Sequence, residues 1–366
     1  MNGWLIAVAA AAALAAGCQR SGARPAASAS GDPAADVPYA ILVETLRTGQ
    51  PALAASAAET FLEADRPPPI ELVEPLADAG DVRVRTTAVA LLATTRRSEL
   101  APLFRRKAQD AMPPVRLAAA FGMAMTGDPS QATALRDALA SPDVTLRRTA
   151  AWLLGLMGNP SAIGMLRLKL DDPDAVVVLR AAEALHHLGA KDGLEEVRTL
   201  TENDLHQVRY YATRLLGRLG TTADIPRLER LAQSRYLDVK FAAIASLAQL
   251  GDLKRIGMLL DLLDSGDTEV HVLASRQLGD TAYTPAIERL EKLLKSRDPT
   301  VRTSAAEAII RIRSAQTPWR SRILADQPAL PGAAPAPTPM VPGTRIPATP
   351  AVPPLRTPPT ARETRP

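Results

Sequence analysis

The feature that most constrains this chain is a repeat of fixed length. Val84, Val115, Leu146, Val177, Val208, Val239, Val270 and Val301 follow one another at intervals of 31 residues, with no insertion between them. Four residues after each stands an alanine, from Ala88 to Ala305, and eight after each a Leu, Met or Ile. At 100° per residue, offsets 0, 4, 8 and 11 share one stripe, so each unit holds an amphipathic helix of about three to four turns. A second stripe, typified by Ile225, Leu228 and Leu231, supplies the other helix of a hairpin. The pattern reaches back to Leu53, Ala57 and Phe61, with Tyr39 and Leu42 on the helix before them. About nine hairpins therefore fill Pro38 to Arg313. One hairpin cannot bury its apolar face alone, so neighbours must stack into an all-α superhelix, an α-solenoid. Composition agrees, since apolar residues make up 46% of the chain and aromatics only 3%. An Ala–Leu core suits closely packed helices and not a β-sandwich.

The start of each long helix has its own signature. Asp81, Asp143, Asp174, Asp267 and Asp298 occupy the N-cap position, where a carboxylate accepts free backbone N–H groups. Arg85, Arg116, Arg147, Arg209, Arg302 and Lys240 lie in the first turn, where the helix dipole disfavours a cation. An Asp–Arg ladder between successive hairpins is the expected compensation. Gly127, Gly158, Gly189, Gly220 and Gly251 are expected to end their helices in a left-handed cap.

With these residues in place, the pattern D-P-x-V-R-x-x-A-A-x-A-L-x-x-L-G resembles the short HEAT-like repeats first described in phycobilin lyases, over about three quarters of the chain. The resemblance implies an armadillo-like helical superhelix and leaves function open, because such repeats serve as scaffolds, lyases and hydroxylases. The family's hydroxylase holds iron on adjacent His-Glu pairs. Here His186, His187, His206 and His271 are followed by His, Leu, Gln and Val, so that activity is not implied.

The two ends read differently. Residues Trp4 to Ala16 are an apolar run of signal-peptide length, and Leu14-Ala15-Ala16-Gly17-Cys18 resembles the lipobox of bacterial lipoproteins. That resemblance implies cleavage before Cys18, the only cysteine, and a lipid anchor on its thiol. Gln19 in the next position implies the periplasmic face of the outer membrane, within the bacterial cell envelope. The expected organisation is a signal peptide over 1–17, a flexible tether over 18–36, the solenoid over 37–315, and a Pro-rich disordered tail over 316–366 with a possible capping helix at 318–326.

The charge of +4 belongs to the tail. From Gln316 onward stand Arg320, Arg322, Arg345, Arg356, Arg362 and Arg365 against Asp326 and Glu363, so the repeats are neutral and give phosphates no basic track. No nucleic-acid partner is expected. No P-loop, nucleophile elbow or dinucleotide-binding glycine motif occurs. Glu183 and His187 stand four apart on one helix, but His206 belongs at the opposite end of its neighbour, so no metal site is expected. The sequence reads as a non-enzyme with no catalytic residue and no cofactor.

A partner would meet the face opposite the core stripe, at offsets 2, 6, 9 and 13. There stand Leu117, Phe121, Arg148, Trp152, Leu179, Tyr210, Arg214, Phe241 and Arg276. Aromatics on a wet face of so aromatic-poor a chain form a candidate patch for a protein or peptide. The expected function is a lipid-anchored envelope scaffold that binds such a partner on its concave face. The alternatives are a lyase- or hydroxylase-like enzyme and a structural stabiliser of an envelope complex.

Overall fold

A computed structural model describes residues 36–48, 50–64 and 68–315. The signal peptide, Cys18, the tether before Asp36, and the tail with its capping helix lie outside the described residues. Within them the chain is helical and without strands. The outer helices are α1 (Val37–Thr48), α3 (Ile70–Val73), α5 (Ala101–Lys107), α7 (Ala132–Leu139), α9 (Ile163–Arg167), α11 (Leu194–Leu200), α13 (Ile225–Leu231), α15 (Ile256–Leu262) and α17 (Ala286–Leu293). The inner ones are α2 (Pro51–Glu63), α4 (Val82–Thr94), α6 (Pro113–Met125), α8 (Val144–Met157), α10 (Ala175–His187), α12 (His206–Leu219), α14 (Leu237–Gln249), α16 (Thr268–Asp280) and α18 (Pro299–Ser314). Each outer–inner pair is one hairpin, so the expected nine-hairpin α-solenoid is what the chain forms.

The repeated apolar positions build the core. Val115, Ala119, Ala150, Leu154, Ala181, Leu185, Ala212 and Leu216 are all fully buried. The capping aspartates act as expected. Asp81 accepts from the N–H of Val84 at 3.1 Å, Asp174 from Val177 at 3.0 Å, and Asp298 from Thr300 at 2.7 Å. Gly158 ends α8 at φ 72°. Gly220 departs from the expectation. It is extended, with φ −70° and ψ 177°, because Thr221 and Asp224 form a capping box that starts the next turn directly.

The first-turn arginines correct the ladder expectation. Each turns back on its own hairpin: Arg85 donates to the carbonyls of Ala79 and Gly80, and Arg147 to those of Ser141 and Pro142. Arg116, Arg209 and Arg302 repeat this clamp. Carbonyl oxygens thus offset the unfavourable dipole, and the bridge to the next hairpin is an addition made by Arg85 to Asp110 and Arg147 to Asp172. The acceptor aspartate precedes the cap position by two residues and is not the capping residue.

Inner helices pack in tight couples, α4 with α6, α8 with α10, α12 with α14, and α16 with α18, alternating with looser neighbours. Small residues make the close approaches. A Cβ on Gly155 would lie 2.9 Å from the Ala184 Cβ, and one on Gly279 2.9 Å from the Ala308 Cα. The superhelix then closes. α18 packs against both α1 and α2. Across this seam the Thr45 and Thr303 hydroxyls stand 3.0 Å apart, Arg311 donates to Glu63 and Thr60, and Arg313 to Asp36. The sequence reading left this end open; among the described residues the N-terminal hairpin covers it, and the expected capping helix at 318–326 lies outside them.

Candidate functional site

Closure turns the concave face into an interior. One part is filled with charge. On α12 and α16, Arg214 Nη2 lies 2.6 Å from Asp280 Oδ2, and on α10 Glu183 accepts from Arg218 at 2.8 Å and from Arg180 at 3.0 Å. Burial raises the Asp280 and Glu183 carboxyls, but their arginine neighbours prevail and hold both below the usual carboxylate range. Glu307 on α18 differs. Its Oε1 has no hydrogen-bond partner, and burial pushes its carboxyl up against the pull of Arg311.

The other part is a cavity of about 750 Å³ between α2, α4, α8 and α10. It is lined along α8 from Thr145 to Leu156 and along α10 from Val176 to His187. At the helical rise this makes it roughly 17 Å long. Trp152 and Leu156 form an apolar wall. Around them stand Arg148, Arg180, Glu183 and His187, with Glu59 and Glu63 from α2 and Arg83 from α4. Glu59, Glu63 and Arg83 are exposed to solvent. Arg148 is held by two bonds to Asp174, the cap of α10, at 2.6 and 2.8 Å.

The structure divides the residues of the expected binding face. Trp152 and Arg148 line the cavity. Leu117, Phe121, Leu179, Tyr210 and Phe241 are buried, so their expected exposure is corrected. The cause is the tight coupling of inner helices, which covers their flanks as well as the core stripe. Tyr210 is a core residue whose hydroxyl accepts from Gln277 at 3.2 Å. Arg214 belongs to the ionic cluster, and Arg276, half-buried on α16, faces Glu307 there. The sequence reading missed Glu59, Glu63 and Arg180, and weighed His187 only as a metal ligand. For Glu63 and His187 the signal was offset 10, which also holds Leu156, Arg218, Asp280 and Arg311 and was left out of the solvent-facing set; Glu59 falls at offset 6, within that set, in a hairpin it was not extended to. Glu183 is engaged with two arginines, and among the described residues no three His, Asp or Glu side chains gather as metal ligands.

Nine coupled hairpins around a lined interior define a closed α-solenoid. The sequence matches HEAT repeats over residues 69–151, 134–209 and 256–320, which together span more than half of it. The chain belongs to the HEAT-repeat family. A comparison with the curated proteins finds no match. Among solved structures, the CpcE–CpcF complex of phycocyanin lyase from Nostoc sp. PCC7120 is similar at 19% identity. That match covers 71% of this chain and 94% of that one, with a TM-score of 0.33. Human deoxyhypusine hydroxylase is similar at 17% identity, covering 76% and 97%, with a TM-score of 0.33. An engineered protein is similar at 22%, covering 78% and 92%, with a TM-score of 0.30. The likeness is one of fold. The expectation that the chain is not an enzyme is corrected by these neighbours. Two of them, a lyase and a hydroxylase, are enzymes.

Proposed function

We propose that this chain is an envelope lipoprotein, anchored through Cys18, whose ring holds an extended segment of a protein or peptide in the cavity beside Trp152. The cavity carries the reading. Its volume of about 750 Å³ falls among ligand-binding clefts, which run roughly 300–1,000 Å³. Its length, its indole wall and its carboxylates and guanidiniums suit a chain with both apolar and charged side chains better than a compact molecule of one charge. Burial of Phe121, Tyr210 and Phe241 removes the broad groove as a competitor.

Panning a displayed peptide library on the full chain tests the binding role. The selected peptides should lose about tenfold or more in affinity to Trp152→Ala, the scale of one buried aromatic anchor. They should keep it with Leu205→Ser, which alters an exposed residue before α12 that does not line the cavity. Peptides indifferent to Trp152 would remove the cavity as the site. The anchor has its own test: cells fed an alkyne-tagged fatty acid should label the wild-type chain and not Cys18→Ser, and equal labelling would rule it out.

A further inference from the structure

The cavity has one occupant within reach whose chemistry complements it. Resting on the peptide-binding reading above, we propose that it is filled by the chain's own Arg–Pro segment, residues 341–366, which a partner must displace.

The first ground is where the described chain ends. Arg311 donates to Glu63 at 3.1 Å, and Glu63 lines the cavity. Ala315 stands one turn beyond Arg311, with its N–H on the Arg311 carbonyl at 2.9 Å. Residues 316–366 therefore begin at the cavity's rim. The chain from Ala315 to Arg345 is long enough, at a fraction of its extended reach, to span the roughly 17 Å length of the cavity. The segment thus reaches either end of it at a high local concentration.

The second ground is charge. Arg345, Arg356, Arg362 and Arg365 face a single acid, Glu363, within the segment. The exposed carboxylates of the lining are Glu59, Glu63 and Asp81, of which Glu63 pairs with Arg311 and Asp81 caps α4. Most of the positive surplus, four arginines less one acid or +3 of the net +4, is thus tethered beside the exposed cavity acids. The third ground is shape. Pro342, Pro347, Pro350, Pro353, Pro354 and Pro358 favour extended backbone. Extended Pro-rich segments dock on aromatic walls at low entropic cost, and Trp152 offers such a wall together with a face for an arginine.

The test is made on the full chain, with Trp152 replaced by the photo-cross-linker p-benzoylphenylalanine and circular dichroism used to confirm the fold. Irradiation of dilute protein should join position 152 to residues 341–366 within one molecule. Changing Arg345, Arg356, Arg362 and Arg365 to Gln should cut that yield about tenfold, because several charge contacts vanish together. The same Arg→Gln chain should bind the library peptides about tenfold more tightly, since an internal competitor is gone. A second cross-linker position, Thr149, covers the case in which the Trp152 replacement fails to fold. Cross-links confined to residues 36–315 at both positions would overturn the proposal. So would links that rise with protein concentration, which would place a second copy's tail in the cavity. Tight peptide binding unchanged by the Arg→Gln substitutions would leave the binding role standing and eliminate the tail as occupant.

Discussion

Arg214 Nη2 and Asp280 Oδ2 lie 2.6 Å apart, though a whole hairpin stands between theirs and 66 residues separate them in the chain. On α14, between them, the residue in the register of Arg214 is the small, buried Ala245, which leaves room for the long Arg214 side chain to reach α16. Tyr210 and Gln277 span the same gap. Contacts across an intervening repeat turn a stack into a ring.

Removing one half of that pair strands the other charge. Asp280→Asn should cost about 3 kcal/mol in chemical denaturation, as expected when a buried ion pair loses a partner. Adding Arg214→Met should recover part of the loss, because no uncompensated charge then remains. Additive losses would show that the two side chains do not interact.

The tight couples predict opposite outcomes for one substitution. Gly155→Ala and Gly279→Ala should each destabilise by about 1–3 kcal/mol, since the new methyl meets Ala184 or the Ala308 backbone at 2.9 Å. Gly164→Ala, on α9 with nothing within 4 Å, should be neutral or stabilise by about 0.5–1 kcal/mol. Equal effects in thermal melts would count against the alternating packing.

Glu307 and Asp280 give pH dependences of opposite sign. Burial raises Glu307 in the folded chain, so its contribution is present at low pH and lost as pH rises through its raised pKa. Glu307→Gln removes that loss, and its stability relative to wild type should improve from about pH 4 to pH 7. Asp280 is held low by Arg214, against burial, so its contribution is present at neutral pH and lost as pH falls through its lowered pKa. Asp280→Asn should flatten the acid limb in urea titrations. A pH-independent difference in either variant would contradict the assigned environments.

Closure itself is open to measurement. Arg311→Met combined with Thr303→Val removes the Glu63, Thr60 and Thr45 contacts. Amide exchange in α1 and α2 should speed up about tenfold or more, while α8 and α10 keep their protection. The radius of gyration in small-angle scattering should rise. Unchanged exchange would mean that apolar packing and the Arg313–Asp36 pair hold the seam without these contacts.

The wall of the cavity was only partly legible in the sequence. Trp152 and Arg148 stand out because they are unusual at their offsets. Phe121 and Tyr210 stand out equally and lie in the core, since a helical wheel assigns a side chain its direction but not what the neighbouring helix places there. Glu59 and Glu63 went unread because their helix is remote in sequence from α8 and α10, which they join only through closure.

The sequence by itself determined the helical hairpin, its length, the capping aspartates and the order of stacking. Those follow from local periodicity and backbone hydrogen bonding, which act within a few turns of chain. Tertiary structure decided the curvature. The choice of glycine, alanine or a larger residue at each helix contact sets a small rotation, and the sum of these rotations brings α18 against α1 and α2. A sum of small angles is invisible in any one repeat, yet it fixes which residues face an interior and which face water.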